Sequence, residues 1–262
     1  MGRLDDRVAI ITGAGQGIGR AYALRFAAEG ARVAVADLQA ESGTVVAKEI
    51  EAGGGEAMFV LADVSDEETT KAMAAAVGER WGRIDVLINN AAIFHDLRQG
   101  DASLEYLKRV LDVNLIGPWL CTRAVFPWMK AQRWGRIINQ SSGAAWMYAA
   151  AGYAMHEGSE EVPSFHYAVA KAGLNAFTHF LAAGLGQFGI TVNAIAPGTT
   201  MTDATRKQVP EGMLGMIKAM SALRRTLEPE ELTGTAVFLA SDDAAAITGQ
   251  VISVDAGTIM LG

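Results

Sequence analysis

A buried strand that runs directly into a glycine-rich turn and then a helix limits the possible folds more than any other stretch. Residues 8–12 (Val-Ala-Ile-Ile-Thr) form an unbroken apolar run, typical of a parallel strand covered on both faces. Residues 13–19 (Gly-Ala-Gly-Gln-Gly-Ile-Gly) follow at once, before a helical run from 20 to 29. Such a turn lets backbone N–H groups approach a pyrophosphate, whose charge the helix dipole favours. We therefore predict phosphate binding here, although the strict Gly-x-Gly-x-x-Gly fingerprint is replaced by Gly-x-x-x-Gly-x-Gly.

Strand and helix patterns alternate along the rest of the chain. This alternation predicts an α/β protein with a doubly wound Rossmann fold, in which a seven-stranded parallel sheet carries helices on both faces. The predicted strands are 8–12, 33–36, 57–61, 84–88, 136–140, 190–196 and 250–255, and the main helices are 20–29, 40–52, 67–81, two within 103–133, 167–188 and 229–241. The 262 residues contain no Pro- or Ser-rich linker and no internal repeat, so we predict one domain over 1–262.

The composition argues against several classes of protein. The net charge of −7 is opposite to the basic surface that nucleic-acid binding requires. No apolar run approaches the ~18–20 residues of a membrane-spanning helix, and residues 1–7 contain no signal-peptide core. The single cysteine, Cys121, excludes an internal disulfide and fits a reducing compartment. We expect a cytoplasmic protein with no metal site and no nucleic-acid or membrane partner.

An acidic residue closes the second predicted strand. Asp37 lies about 20 residues beyond the glycine turn, where a carboxylate can bind the adenosine ribose hydroxyls and repel a 2′-phosphate. Neither Gln16 nor Leu38 supplies the cation that a 2′-phosphate would need. This pattern predicts NAD in preference to NADP, and the simpler alternative is an aspartate that only begins a solvated turn.

A Tyr-x-x-x-Lys pair, Tyr167 and Lys171, opens the sixth predicted helix. Side chains four apart lie on one helix face, about 5–6 Å apart at Cβ. We expect the ammonium to lower the pKa of the phenol toward the range of a general acid or base. A surface Tyr–Lys contact is the alternative. Asn114 within a helix and Ser142 after the fifth strand are further candidates, with a buried capping amide and an ordinary turn serine as their alternatives.

Taken together, these residues resemble the short-chain dehydrogenase/reductase family in order and spacing. The resemblance covers nearly the whole chain and rests on Thr12-Gly13-x-x-x-Gly17-x-Gly19, Asn89-Asn90-Ala91, Asn114, Ser142, Tyr167-x-x-x-Lys171 and Pro197-Gly198. Residues 134–139, 189–197 and 239–243 look closest to bacterial secondary-alcohol dehydrogenases such as phenylethanol dehydrogenase. The resemblance implies hydride transfer between NAD and a secondary alcohol or ketone, in a homotetramer.

The resemblance also implies a role for each matching residue. Tyr167 becomes the acid or base and Lys171 its pKa-lowering partner. Ser142 positions the substrate oxygen, and Asn114 holds a water that relays the proton. The implied cofactor residues are Gly13, Gln16, Gly17, Ile18 and Gly19 in the pyrophosphate turn, Asp37 at the ribose, Asp63 and Val64 at the adenine, and Asn90, Tyr167, Lys171, Pro197, Gly198, Thr200 and Thr202 toward the nicotinamide.

One departure from the family is the interval between Ser142 and Tyr167, which at 167 − 142 = 25 residues is longer than in typical members. An insertion therefore lies around 151–165, and we expect it to rim the substrate pocket, because loops at the mouth of a rigid scaffold carry specificity. Tyr153 lies nearer the usual interval. However, Glu157 follows it four residues later and would raise a phenol pKa, whereas Lys171 would lower one.

Apolar residues near the predicted site favour an apolar ketone or secondary alcohol as the substrate. The proposed pocket residues are Ile93, Phe94, Ala144, Trp146, Tyr153, Met201 and Met213. Two other functions stay open. A 3-oxoacyl thioester reductase is disfavoured by Asp37 and the acidic charge, and a non-catalytic regulator that senses NAD is disfavoured by the intact catalytic set.

Overall fold

The computed structural model describes residues 2–94, 103–148, 165–209 and 211–260. Its strands are β1 (Val8–Thr12), β2 (Arg32–Asp37), β3 (Ala57–Leu61), β4 (Val86–Asn89), β5 (Gly135–Gln140), β6 (Ile190–Pro197) and β7 (Val251–Val254). They form one seven-stranded sheet, ordered β3-β2-β1-β4-β5-β6-β7, in which each neighbouring pair is parallel. The predicted α/β Rossmann fold is confirmed.

Helices cover both faces of this sheet. They are α1 (Gly17–Ala28), α2 (Ala40–Ala52), α3 (Glu67–Trp81), α4 (Leu104–Leu111), α5 (Gly117–Gln132), α6 (His166–Leu185), α7 (Asp203–Gln208), α8 (Glu211–Met220) and α9 (Glu230–Ala240). The core on one face joins α1, α2 and α9, and the core on the other joins α3, α5 and α6. Strand β1 contributes side chains to both cores. Ala9 and Ile11 face the first core, and Val8 and Ile10 face the second core. No helix within the described ranges is long and apolar enough to cross a bilayer.

The strand order fixes where a ligand can bind. From β1 the chain winds outward to β2 and β3 and then returns to β4 on the other side of β1. A crevice therefore opens at the carboxyl ends of β1 and β4. The glycine turn and residues 89–92 meet there, and β5 and β6 deliver Ser142 and residues 197–202 to the same edge.

Two segments differ from the pattern that the sequence predicts. Residues Asp112–Ile116 form a π-helix between α4 and α5, a conformation that apolar periodicity does not distinguish from an α-helix. Helices α7 (Asp203–Gln208) and α8 (Glu211–Met220) lie in a part of the chain where the sequence analysis predicts neither a strand nor a helix. Helix α7 is stabilised at its start by Thr202, whose Oγ1 accepts a hydrogen bond from the Thr205 N–H at 3.1 Å.

Candidate active site

The glycine turn owes its shape to backbone conformation and to close contacts. Gly13 and Gly17 have φ angles of 62° and 55°, in a region that residues with a side chain rarely adopt. A Cβ on Gly19 would lie 2.1 Å from the carbonyl oxygen of Gly13, so the turn closes only with glycine there. Helix α1 begins at Gly17, and its first backbone N–H groups lack partners within the helix. The turn therefore offers donors and a positive dipole end to an anion.

Asn90 braces this turn from the end of β4. Its Nδ2 donates to the carbonyl oxygens of Thr12 at 3.0 Å and Gly13 at 3.1 Å. The Thr12 hydroxyl accepts hydrogen bonds from the backbone N–H groups of Asn90 and Ala91, at 3.0 and 3.1 Å. The side-chain amide of Asn90 therefore supports the phosphate turn.

The carboxylate of Asp37 faces the glycine turn. Its Oδ2 accepts a hydrogen bond from the Gly15 N–H at 2.8 Å, and its Oδ1 accepts one from the Gln39 N–H at 2.9 Å. Each oxygen keeps a lone pair for a further donor. Leu38 is exposed, and Gln16 is an exposed N-cap residue whose side chain makes no capping bond.

The loop after β6 closes the other side of the crevice. A Cβ on Gly17 would lie 3.3 Å from Thr202 Cγ2, so the glycine turn and this loop are close neighbours. Thr200 Oγ1 donates to the carbonyl oxygen of Gly198 at 3.2 Å. A Cβ on Gly198 would lie only 2.9 Å from Asp255 Cα, which requires glycine after Pro197.

Asp63 and Val64 lie at the end of β3, next to the end of β2. The Asp63 carboxylate accepts two hydrogen bonds from Ser65, and Val64 is buried. Ile18 is half-buried and packs against the core on the α1 face. Narrow glycine contacts, a helix N-terminus and a fixed carboxylate along one edge suit an extended dinucleotide.

Lys171 is buried on the second turn of α6. Its Nζ donates a hydrogen bond of 2.7 Å to the carbonyl oxygen of Gln140 and lies 5.5 Å from the centre of the Tyr167 ring. Burial lowers the pKa of Lys171 to about 7. The amine thus lies below the phenol ring and is fixed by the backbone at the end of β5.

Ser142 follows β5, and Tyr167 is the second residue of α6. Ser142 Oγ accepts a hydrogen bond from the Ala144 N–H at 3.2 Å. Burial raises the pKa of Tyr167 to about 12, and the neighbouring Ser142 hydroxyl opposes this rise. The pKa of Tyr167 in the protein alone is therefore shifted opposite to the expected direction, because desolvation is the largest cause and Lys171 is not among the groups that lower it.

Asn114 lies in the π-helix and is fully buried. Its Nδ2 donates to the carbonyl oxygens of Ile93 and Val110, both at 3.0 Å, while its Oδ1 has no partner among the described residues. A buried acceptor without a partner is costly unless a donor reaches it. The π-helix therefore presents an amide oxygen that suits an ordered water.

Comparisons with known proteins agree with this geometry. The family model described as enoyl-(acyl carrier protein) reductase matches residues 13–258. An uncharacterized oxidoreductase of Mycobacterium tuberculosis is 44% identical over 259 residues, covering 98% of each chain. The 3-oxoacyl-[acyl-carrier-protein] reductase of Synechocystis sp. is 42% identical, covering 99% of this chain and 100% of that one. The solved structure of gox2181 has a TM-score of 0.88 at 31% identity, covering 98% of this chain and 96% of that one.

The chain belongs to the short-chain dehydrogenase/reductase family. It is an oxidoreductase, and this family generally uses NAD or NADP as its cofactor.

The residues proposed for the substrate pocket of this short-chain dehydrogenase/reductase lie in different places. Phe94 is half-buried, with its ring 6.5 Å from that of Tyr167, and Ile93 packs in the small cluster around Val110. Met201 is buried, Met213 is exposed on α8, and Ala144 is half-buried beside Ser142. Tyr153 and most of the insertion at 151–165 lie outside the described residues.

Trp146 ends the short 3₁₀ turn Gly143–Trp146 that follows Ser142. It borders a groove of 510 Å³ on the flank of α6, together with Tyr148, Asn175 and His179. Its place in the substrate pocket stays a prediction.

Two residues that support the site were not predicted from their residue type. The Thr12 hydroxyl accepts two backbone N–H groups, and the one sequence signal for this role was the position of Thr12 beside the glycine turn. Gln140 supplies the carbonyl oxygen that holds Lys171. Every residue has a backbone carbonyl, so no sequence signal could have identified it.

Proposed function

We propose that this protein is an NAD-dependent alcohol dehydrogenase and ketone reductase. It transfers a hydride between the nicotinamide and a secondary alcohol or ketone of apolar character, as in the secondary-alcohol dehydrogenase branch of the family. The proposal rests on the neighbouring hydroxyls of Ser142 and Tyr167 beside the buried Lys171 amine. Ser142 follows β5 at the sheet edge where the glycine turn lies.

In the oxidative direction, Tyr167 takes the proton of the alcohol while Ser142 donates to the same oxygen. Because burial raises the pKa of Tyr167 in the protein alone, the phenolate would need the positive charge of the bound nicotinamide ring to form. The Ala144 N–H occupies one lone pair of the Ser142 oxygen, and the hydroxyl proton would turn to the substrate oxygen when substrate is bound. Bound NAD supplies the hydride acceptor. General acid–base catalysis of this kind contributes about 10²–10⁴-fold to the rate. Lys171 would hold the ribose of the bound cofactor, and a water held at Asn114 Oδ1 would carry the proton to solvent.

The preference for NAD rests on Asp37. A carboxylate fixed by two backbone N–H groups can accept bonds from the ribose hydroxyls, whereas it repels a phosphate. No cation replaces it at Gln16 or Leu38. We expect kcat/KM to be higher with NAD than with NADP.

A second candidate is reduction of a 3-oxoacyl thioester. It is favoured by the 42% identity to the Synechocystis 3-oxoacyl-[acyl-carrier-protein] reductase over the whole chain. The catalytic hydroxyl pair would serve both reactions, since each reduces a ketone. The two candidates differ in whether the enzyme accepts a substrate that carries a thioester beside the ketone.

The two candidates can be compared in one assay. NADH formation is measured over a panel of secondary alcohols, and NADH and NADPH consumption over the matching ketones and acetoacetyl-CoA. We expect turnover of apolar alcohols with NAD, and Tyr167→Phe lowers kcat by about 10²-fold or more, because the proton acceptor is lost. Tyr106→Phe is the matched control, because it removes the hydroxyl of another buried phenol, on the neighbouring helix α4.

The outcomes separate the classes of function. Faster turnover of acetoacetyl-CoA than of any alcohol or simple ketone would move the assignment to the thioester reductase. Tight NADH binding without turnover of any substrate would support a regulator that senses NAD. Full activity in Tyr167→Phe would refute the assigned acid–base residue.

We also propose that the protein assembles as a homotetramer. Apolar side chains are exposed on the outer surfaces of α5 and α6 and at the π-helix, namely Ile116, Trp119, Val169 and Phe180. Exposed apolar surface of this kind marks an interaction site when it is contiguous. A second copy of the same chain would cover it with the same residues.

A further inference from the structure

The backbone conformation of Gly15 does not require a glycine. Its φ lies outside the left-handed region that Gly13 and Gly17 occupy. The backbone would therefore accept a side chain at this position. Gly15 is also outside the Gly13, Gly17 and Gly19 spacing that carries the family resemblance.

The space around Gly15 explains the residue instead. A Cβ there would lie 2.5 Å from Ser42 Oγ, 3.0 Å from Asp37 Oδ2 and 3.1 Å from the backbone nitrogen of Gly43. The hydroxyl of Ser42 can rotate, at the expense of its 3.2 Å bond to the Gln39 carbonyl oxygen. The Asp37 carboxylate can give way only by moving from the Gly15 N–H, which it accepts at 2.8 Å.

The first turn of α2 is held close to the glycine turn. Gly43 is buried, and a Cβ on it would lie 2.4 Å from the Phe59 ring, so α2 sits directly on β3. Ser42 therefore cannot retreat by moving the helix. The carboxylate of Asp37 is then fixed between the Gly15 N–H on one side and the Gln39 N–H on the other.

We propose that Gly15, through its contact with Ser42, is a specificity-determining residue that fixes Asp37 for recognition of the unphosphorylated adenosine ribose. The inference rests on the proposed use of NAD. It assigns Gly15 a role separate from the pyrophosphate turn, because a side chain there would displace the Asp37 carboxylate and leave the φ angles of Gly13 and Gly17 unchanged.

The test is a double-mutant cycle on coenzyme binding. NADH and NADPH affinities are measured by calorimetry for the wild type, Gly15→Ala, Ser42→Ala and Gly15→Ala/Ser42→Ala. A hydrogen bond to a charged group is worth enough that we expect Gly15→Ala to weaken NADH binding about tenfold or more. NADPH binding changes much less, since it gains nothing from Asp37. In turnover, KM for NAD rises while kcat stays near the wild-type value.

Ser42→Ala provides the rescue, because it removes the atom nearest to the new methyl group. Alone it leaves NADH affinity close to that of the wild type, and combined with Gly15→Ala it restores part of the lost affinity. Gly53→Ala is the matched control: Gly53 follows α2 with a φ of −79°, and its Cβ would meet nothing closer than 3.4 Å. We expect this variant to leave both affinities unchanged.

Equal loss of NADH and NADPH affinity in Gly15→Ala would overturn the proposal, because it would show damage to the shared pyrophosphate turn. Absence of rescue by Ser42→Ala would overturn the steric argument. A wild type that binds NADPH more tightly than NADH would overturn the proposed cofactor and this inference together, whereas a wild type that prefers NADH with an indifferent Gly15→Ala would overturn this inference alone.

Discussion

Replacing Lys171 with methionine should make the protein more stable and inactive. Lys171 is buried, and burial lowers its pKa from 10.5 to about 7. At about 1.36 kcal/mol per pH unit, the difference 10.5 − 7 = 3.5 corresponds to roughly 5 kcal/mol of unfavourable free energy for burying the charge. Methionine has a similar unbranched shape and carries no charge.

The gain is partly offset by a lost hydrogen bond. Lys171→Met removes the 2.7 Å bond to the Gln140 carbonyl oxygen, which costs about 1–3 kcal/mol if that oxygen stays buried without a donor. The expected net change in the free energy of unfolding at pH 7 is therefore about +2 to +4 kcal/mol. For a domain of this size, each kcal/mol raises Tm by roughly 2–4 °C.

The pH dependence gives the sharper test. The folded pKa lies below that of the unfolded chain, so the unfolded state binds the proton more tightly and the penalty in the wild type is fully present below pH 7. It disappears as the pH rises from about 7 to 10.5. The stability difference between Lys171→Met and the wild type should therefore shrink over this window, as measured by urea unfolding at several pH values.

Lys48→Met is the control, because Lys48 is exposed on α2. We expect its effect on stability to be small and independent of pH. A Lys171→Met protein that is less stable than the wild type at pH 7, or whose advantage does not change with pH, would refute the reasoning. Retained dehydrogenase activity would argue against a catalytic role for the amine.

Two further predictions concern the backbone and the assembly. Ala256 is buried with a φ of 56°, so Ala256→Gly should relieve left-handed strain and raise the free energy of unfolding by about 1 kcal/mol, and an unchanged or lower Tm by calorimetry would contradict this. Light scattering of the wild type should give a mass of four times 27.6 kDa. Phe180→Asp, which places a charge on the exposed surface of α6, should lower the measured mass. A monomeric wild type would exclude the tetramer.

Local pattern predicted most of the architecture. The apolar runs at 8–12 and 33–36 each became part of a buried parallel strand, because strands covered on both faces need apolar side chains throughout. Asp66 is the N-cap of α3 and accepts the Thr69 N–H at 2.8 Å, a local interaction between residues three apart in the chain. These features depend on neighbours within a few residues, so the sequence contains the information.

The candidate site was predicted less evenly. The sequence identified Ser142, Tyr167 and Lys171, and the fold brings them together. In the protein alone the Tyr167 pKa is shifted opposite to the predicted direction, because the i, i+4 spacing indicates a neighbouring amine but not the burial that raises the pKa of the phenol.

The spacing of residue types along the chain was enough to specify the order of strands and helices, the glycine turn and the side chains available for catalysis. How those groups behave followed from packing in three dimensions. In the folded chain, Lys171 is buried against the Gln140 carbonyl, residues 112–116 form a π-helix around Asn114, and Ser42 lies against Gly15. Burial and close contact join residues that are distant in the chain, and they set the free energy of a charge or a methyl group.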